Sequence, residues 1–299
     1  MSSNISKKCD YIAKIMPIFL TTVLFVCVFS LRMLAEKPAV LLNHARDAYQ
    51  DGRLHEAAEL ADQAVTEAKT AGIYTLTQMK LTRAVIYEAQ KRWQYALKDY
   101  TDALETFPQS EEIYNRRGAL HFKMGHIKKS IRDFDKSVSL NPDLAPYHWR
   151  RGISYFYANQ FDKCIEQFEI HRTVNSNDVE NTFWHFLCKA RQDGIEAARK
   201  ALLRVTTDTR PPMMAIYRMI QEQVDPQNVL DVARRAAMST VERDKALFYA
   251  HLYVGLYEEA IGKSETAKLH ITKAAHDFGF NHYMGDVARI HAERLQTGN

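Results

Sequence analysis

Small residues recur along the chain at a nearly constant spacing. Seven of them, each at the start of a helical apolar pattern, are separated by 39, 34, 34, 34, 35 and 34 residues. They are Ala57, Ala96, Ser130, Cys164, Ala198, Ala233 and Ala267. A period of this length is typical of stacked helical hairpins, so the pattern predicts an all-α repeat protein. Only 11 Gly and 8 Pro stand in the 299 residues, which argues against an all-β sandwich with its frequent tight turns.

Further small residues precede several of these positions by ten to fourteen residues, and large ones follow four residues later. In one repeat Gly118 comes before Ser130, and Phe134 follows; Gly152 and Phe168 stand in the same places one repeat later. Gly255 precedes the last member of the series in the same way. Two small residues let paired helices cross closely, and the large residue fills the adjacent groove. We therefore expect these small residues to be structural.

Residues 114–143 and 147–178 carry this pattern best, and they resemble the tetratricopeptide repeat (TPR) family. The resemblance covers about residues 38–281. It implies an α-solenoid of about seven helical hairpins with a C-terminal capping helix at Asn281–Leu295. We expect four regular repeats in 38–178, degenerate hairpins in 179–247, and a final repeat with the cap in 248–299. A cap is needed because the last repeat has no neighbour to cover its apolar face.

The resemblance also implies a concave groove lined by the first helix of each repeat. Candidate groove residues are Asn115, Phe122, Lys123, Trp149, Ile153, Phe156 and Tyr157. Aromatic side chains on one helix face are suitable anchors for a peptide or protein partner. The alternative is that irregular repeats or the capping helix cover these rings. A C-terminal-carboxylate receptor is not expected, because only Asn115 matches the basic and amide positions of that TPR subset.

The N-terminal region contains an uncharged apolar run, residues 15–31, between Lys14 and Arg32. As a helix its 17 residues would span about 26 Å, slightly less than the ~30 Å hydrocarbon core. We expect a signal anchor over 15–34 after a short tail, 1–14. A cleaved signal peptide and a buried helix are the alternatives, but no A-x-A cleavage site is present. The expected localisation is a single-pass membrane protein with a cytoplasmic N-terminus and the repeats on the far, periplasmic or extracytoplasmic, side.

The distribution of charge and the absence of ligand motifs exclude two classes of function, nucleic-acid binding and metal binding. Most of the net charge of +4 belongs to the first 37 residues, so no strongly basic body exists to bind nucleic acid. His185 and Cys188 share a helix face, but no second ligand pair accompanies them, and we predict no metal and no other cofactor. Cys164 and Cys188 are expected to approach each other. They form a free buried pair, or a disulfide if the compartment is oxidising.

These observations predict a membrane-anchored scaffold that binds a protein or peptide partner through its groove. No catalytic residue, small-molecule substrate or nucleic acid is expected. Two alternatives remain: an enzyme with its site in 179–247 around His185 and Cys188, and an assembly factor that self-associates. A pocket open to solvent at His185 would favour the enzyme, whereas a closed junction there with an open aromatic groove near Trp149 would favour the scaffold. Arg116, Arg117, Arg150 and Arg151 either form a basic ladder for an acidic partner or pair with nearby acids.

Overall fold

The computed structural model describes residues 37–68, 72–235, 239–278 and 282–297, and within these ranges all regular secondary structure is helical. The helices are α1 (37–50), α2 (Leu54–Glu67), α3 (Ile73–Ala89), α4 (Trp93–Thr106), α5 (Glu111–Lys123), α6 (Ile127–Leu140), α7 (Trp149–Tyr157), α8 (Phe161–His171), α9 (Val179–Asp193), α10 (Ile195–Lys200), α11 (Met213–Glu222), α12 (Pro226–Arg235), α13 (Thr240–Ala260), α14 (Ser264–His276) and α15 (Tyr283–Thr297). A 3-10 helix, Pro142–Tyr147, precedes α7. Consecutive helices pair into hairpins, and α15 follows the last pair.

The turn within most hairpins contains one residue with left-handed backbone. Gly52, Gly125 and Gly262 have φ angles of 76°, 73° and 83°, each two residues before the second helix begins. Lys91 and Asn159 take the same position with φ angles of 58° and 57°. Glycine enters this region without the steric cost that a side chain adds. One such residue per hairpin is sufficient, which explains how a chain poor in glycine makes tight turns.

The repeated small residues lie where paired helices touch. A Cβ atom on Gly118 would lie 2.8 Å from the Phe134 ring, and one on Gly152 would lie 2.7 Å from the Phe168 ring. Both distances are shorter than van der Waals contact, so the large ring occupies the space that the glycine leaves. The buried small residues of the series are Ala57, Ala96, Gly118, Ser130, Gly152, Cys164, Ala198, Ala233, Gly255 and Ala267.

The chain divides into two compact units, residues up to Pro108 and residues from Gln109 onward. The first unit contains α1–α4, with a small core around Leu42 and Met79. The second contains α5–α15 and a continuous apolar core rich in aromatic side chains. The boundary falls inside residues 38–178, which the sequence pattern predicts as one regular array.

The middle of the second unit departs from the regular hairpin. Helix α10 has only 6 residues, and residues 201–212 connect it to α11 without helix. Helices α11 and α12 have 10 residues each. The non-helical connection passes close to the start of α9, where Arg210 contacts Asp178 and Glu180. The irregular segment thus supplies a side chain to the site described below.

Helix α15 occupies residues 283–297 rather than the predicted 281–295, and it contacts both α14 and α5. A cap on the last hairpin alone would touch only α13 and α14. The additional contact with α5 means that α15 also covers a surface of the unit's first hairpin.

The predicted membrane localisation is corrected by the structure. Across the described residues, no helix is both long enough and apolar enough to cross a bilayer. The longest of the described helices, α13, has 21 residues, but Glu242–Lys245 and Glu258–Glu259 put charges in both of its ends. Its charge-free part would span about 18 Å, well below the ~30 Å that a hydrocarbon core requires. The apolar run 15–31 lies outside the described residues.

Candidate functional site

A pocket of about 320 Å³ lies in the second unit among α7, α8, α9, α13 and the start of α15. Its aromatic walls come from Trp149 on α7, Phe168 on α8, Trp184 on α9 and Tyr249 on α13. The other lining residues are His171, Asp178, Glu180, Asn181, Arg210, Lys245, His282 and Met284. Its size is near the lower end of the ~300–1,000 Å³ usual for ligand pockets, so it accommodates a small group or a side chain.

One arginine pairs with three carboxylates on the acidic side of the pocket. The guanidinium of Arg210 lies 3.0 Å from Asp178 Oδ1, 2.7 Å from Glu180 Oε1 and 2.6 Å from Asp208 Oδ2. Asp178 also caps α9, since its carboxylate accepts hydrogen bonds from the backbone N–H groups of Glu180 and Asn181. Each of these carboxylates therefore has a partner within the protein.

Burial and pairing shift the ionisation of these groups in different directions. Burial alone would raise the pKa of Asp178, but the hydrogen bond from His171 and the charge of Arg210 hold it below its usual value. Burial dominates for Glu180 and raises its pKa, although Tyr253 donates a 2.7 Å hydrogen bond to its Oε2. The hydrogen bond to Asp178 raises the pKa of His171. This side of the pocket is consequently a closed, internally satisfied ionic network.

The predicted groove residues separate into three groups. Trp149 is half-buried and lines the pocket, whereas Phe122, Ile153, Phe156 and Tyr157 are buried. Asn115 and Lys123, on α5, are partly buried and do not line the pocket. The structure thus brings one of the seven predicted residues to the cavity. A binding role for the others stays a prediction.

Two helices account for the burial of these rings. Tyr283 of α15 stacks on Phe122 with ring centroids 5.1 Å apart, and it meets Trp149 edge-on at 5.3 Å. The Trp184 ring of α9 meets Phe156 edge-on at 5.4 Å. The alternative to an open groove was that the capping helix or the irregular repeats cover the aromatic rings. The buried rings agree with that alternative, whereas Trp149 remains half-buried.

Polar contacts hold α15 in this position. The Tyr157 hydroxyl lies 3.0 Å from His291 Nδ1, and His291 Nε2 lies 2.8 Å from Glu259 Oε2 on α13. Arg289 donates a hydrogen bond to the Lys123 carbonyl at the end of α5. The C-terminal helix is tied by hydrogen bonds to both ends of the second unit's chain.

Of the two alternatives for the four arginines, pairing with nearby acids describes three of them. Arg117 pairs with Asp133 at 2.7 Å, Arg151 with Asp135 at 2.7 Å, and Arg116 with Glu112 at 2.8 Å. Arg150 instead lies over the rings of Trp149 and Tyr283, at 5.6 and 5.7 Å from their centroids. Of the four arginines, Arg150 is therefore the one next to the pocket.

The junction at His185 is closed. His185 is 1% exposed, and Cys188 forms a disulfide with Cys164, with the two Cα atoms 6.2 Å apart. This disulfide links α8 to α9. Of the two states expected for the cysteines, a free buried pair or a disulfide, the structure contains the disulfide. Within the described ranges, no group of three or more His, Cys, Asp or Glu residues is arranged to hold a metal ion.

Several lining residues are absent from the sequence-based prediction. Asp178 carries a weak signal, because an aspartate just before an apolar helical pattern indicates an N-cap. Arg210, Lys245 and Tyr249 carry no such sequence signal. Arg210 comes from an irregular connection, and the other two come from a helix more than thirty residues after it. Only the tertiary structure brings these residues to one cavity.

Comparison with known proteins agrees with the helical-repeat architecture. Residues 111–144, which include α5 and α6, match the family described as Tetratricopeptide repeat. A tetratricopeptide repeat protein from Parabacteroides merdae is similar in structure, with a TM-score of 0.55 and 17% identity over 87% of this chain and 99% of that one. A MamA fragment from Desulfovibrio magneticus RS-1 has a TM-score of 0.51 and 14% identity over 64% of this chain and 99% of that one. The fold is therefore an all-α solenoid of TPR-like repeats.

Curated relatives match parts of the chain. "Protein SGT1 homolog" from Bos taurus is 31% identical over 101 residues, which is 34% of this chain and 30% of that protein. "Hsp70-Hsp90 organizing protein 2" from Arabidopsis thaliana is 21% identical over 166 residues, 54% of this chain and 27% of that protein. The chain thus spans less than a third of the length of these relatives. The matches are similarities over part of this chain and part of each relative.

Proposed function

We propose that this chain is a TPR scaffold that binds a segment of a partner protein and has no catalytic activity of its own. The observation that carries the proposal is the pocket beside Trp149, in which aromatic walls surround a few fixed polar groups. Such a combination suits recognition of a side chain or short peptide segment. The names of relatives such as the Hsp70-Hsp90 organizing proteins are in keeping with a role in assembling other proteins.

The geometry around His185 favours the scaffold over the enzyme. An enzyme site needs a nucleophile, acid or base that a substrate can reach. His185 is buried and Cys188 is bonded to Cys164, so neither side chain is open to a substrate. The pocket lies instead next to Trp149, and its carboxylates are held by Arg210.

The proposal predicts that Trp149→Ala weakens partner capture. Loss of the indole removes one wall of the pocket, and truncation of an aromatic anchor costs about 2 kcal/mol or more of binding. Proximity labelling in cells identifies candidate partners. The affinity of the purified wild-type and variant chains for each candidate is then measured by titration calorimetry.

Tyr147→Ala is the matched control, because Tyr147 is an aromatic residue 62% exposed, only two positions away and outside the pocket. It should leave the affinity unchanged. Thermal melting of both variants separates lost binding from lost folding. Equal affinity of wild-type and folded Trp149→Ala for every candidate would show that recognition takes place elsewhere on the chain.

A further inference from the structure

A second cavity, which we call the arginine cleft, lies in the irregular middle of the second unit. It has a volume of about 490 Å³ and is formed by α10, the non-helical connection 201–212 and α11. Its lining residues are Arg199, Leu202, Arg204, Val205, Met214, Tyr217, Arg218, Gln221 and Glu222. None of them lines the pocket beside Trp149, so the arginine cleft is a separate site.

One hydrogen bond holds two walls of the arginine cleft together. The Val205 backbone N–H donates to the Tyr217 hydroxyl at 3.4 Å, and both residues are buried. Arg204 precedes Val205 in the connection, and Arg218 follows Tyr217 on α11. This contact therefore fixes the two backbone segments that carry Arg204 and Arg218, and both side chains line the same cavity.

The three arginines of the cleft differ in whether their charge is already balanced. The guanidinium of Arg199 pairs with Glu196 Oε1 at 2.5 Å and also donates to the Tyr257 hydroxyl at 3.0 Å. Arg204 and Arg218 are exposed, and neither forms an ion pair or a side-chain hydrogen bond with a described residue. Two guanidinium groups on different segments are therefore available to a ligand that is negatively charged.

This arrangement favours a phosphate group over a carboxylate. A carboxylate has two oxygens, which a single guanidinium satisfies, whereas a phosphate monoester has three outer oxygens that can accept hydrogen bonds from two guanidinium groups. Its charge of about −1.5 to −2 at pH 7 also matches the two unpaired arginines. Glu222 is the one acid among the described lining residues, so its exposed carboxylate weakens this attraction without balancing both arginines.

We infer that the arginine cleft binds a phosphate monoester. Arg204 and Arg218 donate hydrogen bonds to the phosphate oxygens, and the partly buried Leu202 and Met214 contact the group that carries the phosphate. This inference goes beyond the proposed function, since it assigns a second ligand to a second site. A phosphorylated protein side chain and a small phosphorylated molecule share this chemistry, and the probes of the test distinguish the two sources.

The methyl group of Met214 provides a measurement at the cleft itself. The full chain is labelled with ¹³C at its methionine methyl groups, and the spectrum of Met214→Leu identifies the Met214 signal. The probes are acetyl-Ala-phosphoserine-Ala-N-methylamide, glycerol 3-phosphate and inorganic phosphate. Two comparison peptides carry Ser or Glu in place of phosphoserine. Dissociation constants come from the same titrations.

We expect both esters to shift the Met214 signal and to bind more tightly than the Ser and Glu peptides by about tenfold or more. Arg204→Gln and Arg218→Gln should each weaken ester binding about tenfold. Glu222→Gln should strengthen it about threefold, because a repelling charge is removed. Arg132→Gln is the control and should leave the affinity unchanged, since Arg132 is an exposed arginine of α6 outside the cleft.

The two esters separate the sources of the ligand. Tighter binding of the phosphoserine peptide supports a phosphorylated protein, and tighter binding of glycerol 3-phosphate supports a small molecule. Inorganic phosphate should bind more weakly than either ester, because it has no carrier group to contact Leu202 and Met214. Melting curves establish that each variant is folded.

Four results would overturn the inference. They are equal binding of the Glu and phosphoserine peptides, equal binding of inorganic phosphate and the esters, no shift of the Met214 signal at millimolar ester, and a loss of affinity in Arg132→Gln as large as in Arg204→Gln. The proposed scaffold function is decided separately by the Trp149→Ala affinity measurement at the other pocket, so the two failures are distinguishable.

Discussion

At the scale of single residues, the helix crossings depend on the absence of a side chain at one position. The Phe168 ring is 1% exposed and lies directly over Gly152, where it fills the space that a side chain at position 152 would need. The same arrangement recurs at Gly118 under Phe134. Interiors packed to this density respond to each added carbon atom.

We predict that Gly152→Ala destabilises the second unit by about 1–3 kcal/mol, because the new Cβ overlaps the Phe168 ring. The better helix propensity of alanine offsets about 1 kcal/mol at most. The measurement is denaturant unfolding of the single and double variants. In the Phe168→Leu background the ring is gone, so the added cost of Gly152→Ala should largely disappear. An equal cost in both backgrounds would contradict the proposed contact.

At the scale of secondary-structure elements, α15 does more than cover the last hairpin. Its Tyr283 packs on Phe122 and Trp149, and its His291 bridges Tyr157 and Glu259. The helix therefore connects the first, second and last hairpins of the second unit. Because its first turn also borders the pocket through Met284, movement of α15 would change the shape of the binding site.

We predict that His291→Ala destabilises the second unit by about 2–4 kcal/mol. The substitution removes two hydrogen bonds and leaves the buried Tyr157 hydroxyl and Glu259 each short of one partner. Calorimetric melting gives the value. His276→Ala is the control, since His276 is an exposed residue of α14, and it should change stability by less than about 0.5 kcal/mol. Similar melting of the two variants would mean that α15 is not held by His291.

At the scale of the whole molecule, buried histidines make stability depend on pH. Burial lowers the pKa of His121, His148 and His251 to about 4, and it also lowers the pKa of His185 and His270. The unfolded chain, in which histidine titrates near 6.5, therefore binds more protons than the folded chain between about pH 4 and 6.5. Stability rises with pH through this window.

We predict that the melting temperature falls progressively as the pH is lowered from 7 toward 4.5. His171 contributes in the opposite sense. Its raised pKa gives a stabilisation that is present below about pH 6.5 and is lost as the pH rises through the higher folded value. His251→Gln should flatten the acid-side dependence, and His171→Gln should steepen it. Scanning calorimetry across this range is the measurement, and a constant melting temperature between pH 7 and 5 would contradict the argument.

The sequence by itself determined the local architecture. Residues such as Gly118, Ser130 and Phe134 stand at fixed spacings because two helices can cross closely only where their side chains are small. Their period therefore reveals the hairpins, the contacts at Gly152 and the position of the capping helix within two residues. The predicted membrane localisation was wrong, because no helix in the described ranges is long and apolar enough to cross a bilayer.

The tertiary structure decided which surfaces remain accessible. The helical pattern places Trp149, Ile153 and Phe156 on one face, but a periodic pattern does not show what lies against that face. Burial of Phe156 and the partial burial of Trp149 depend on α9 and α15, which follow them by tens of residues in the sequence. Arg210 and Lys245 reach the pocket through an irregular connection and a distant hairpin. Such contacts arise from the packing of the whole unit, because distance in space between remote segments is not encoded in any local spacing of residue types.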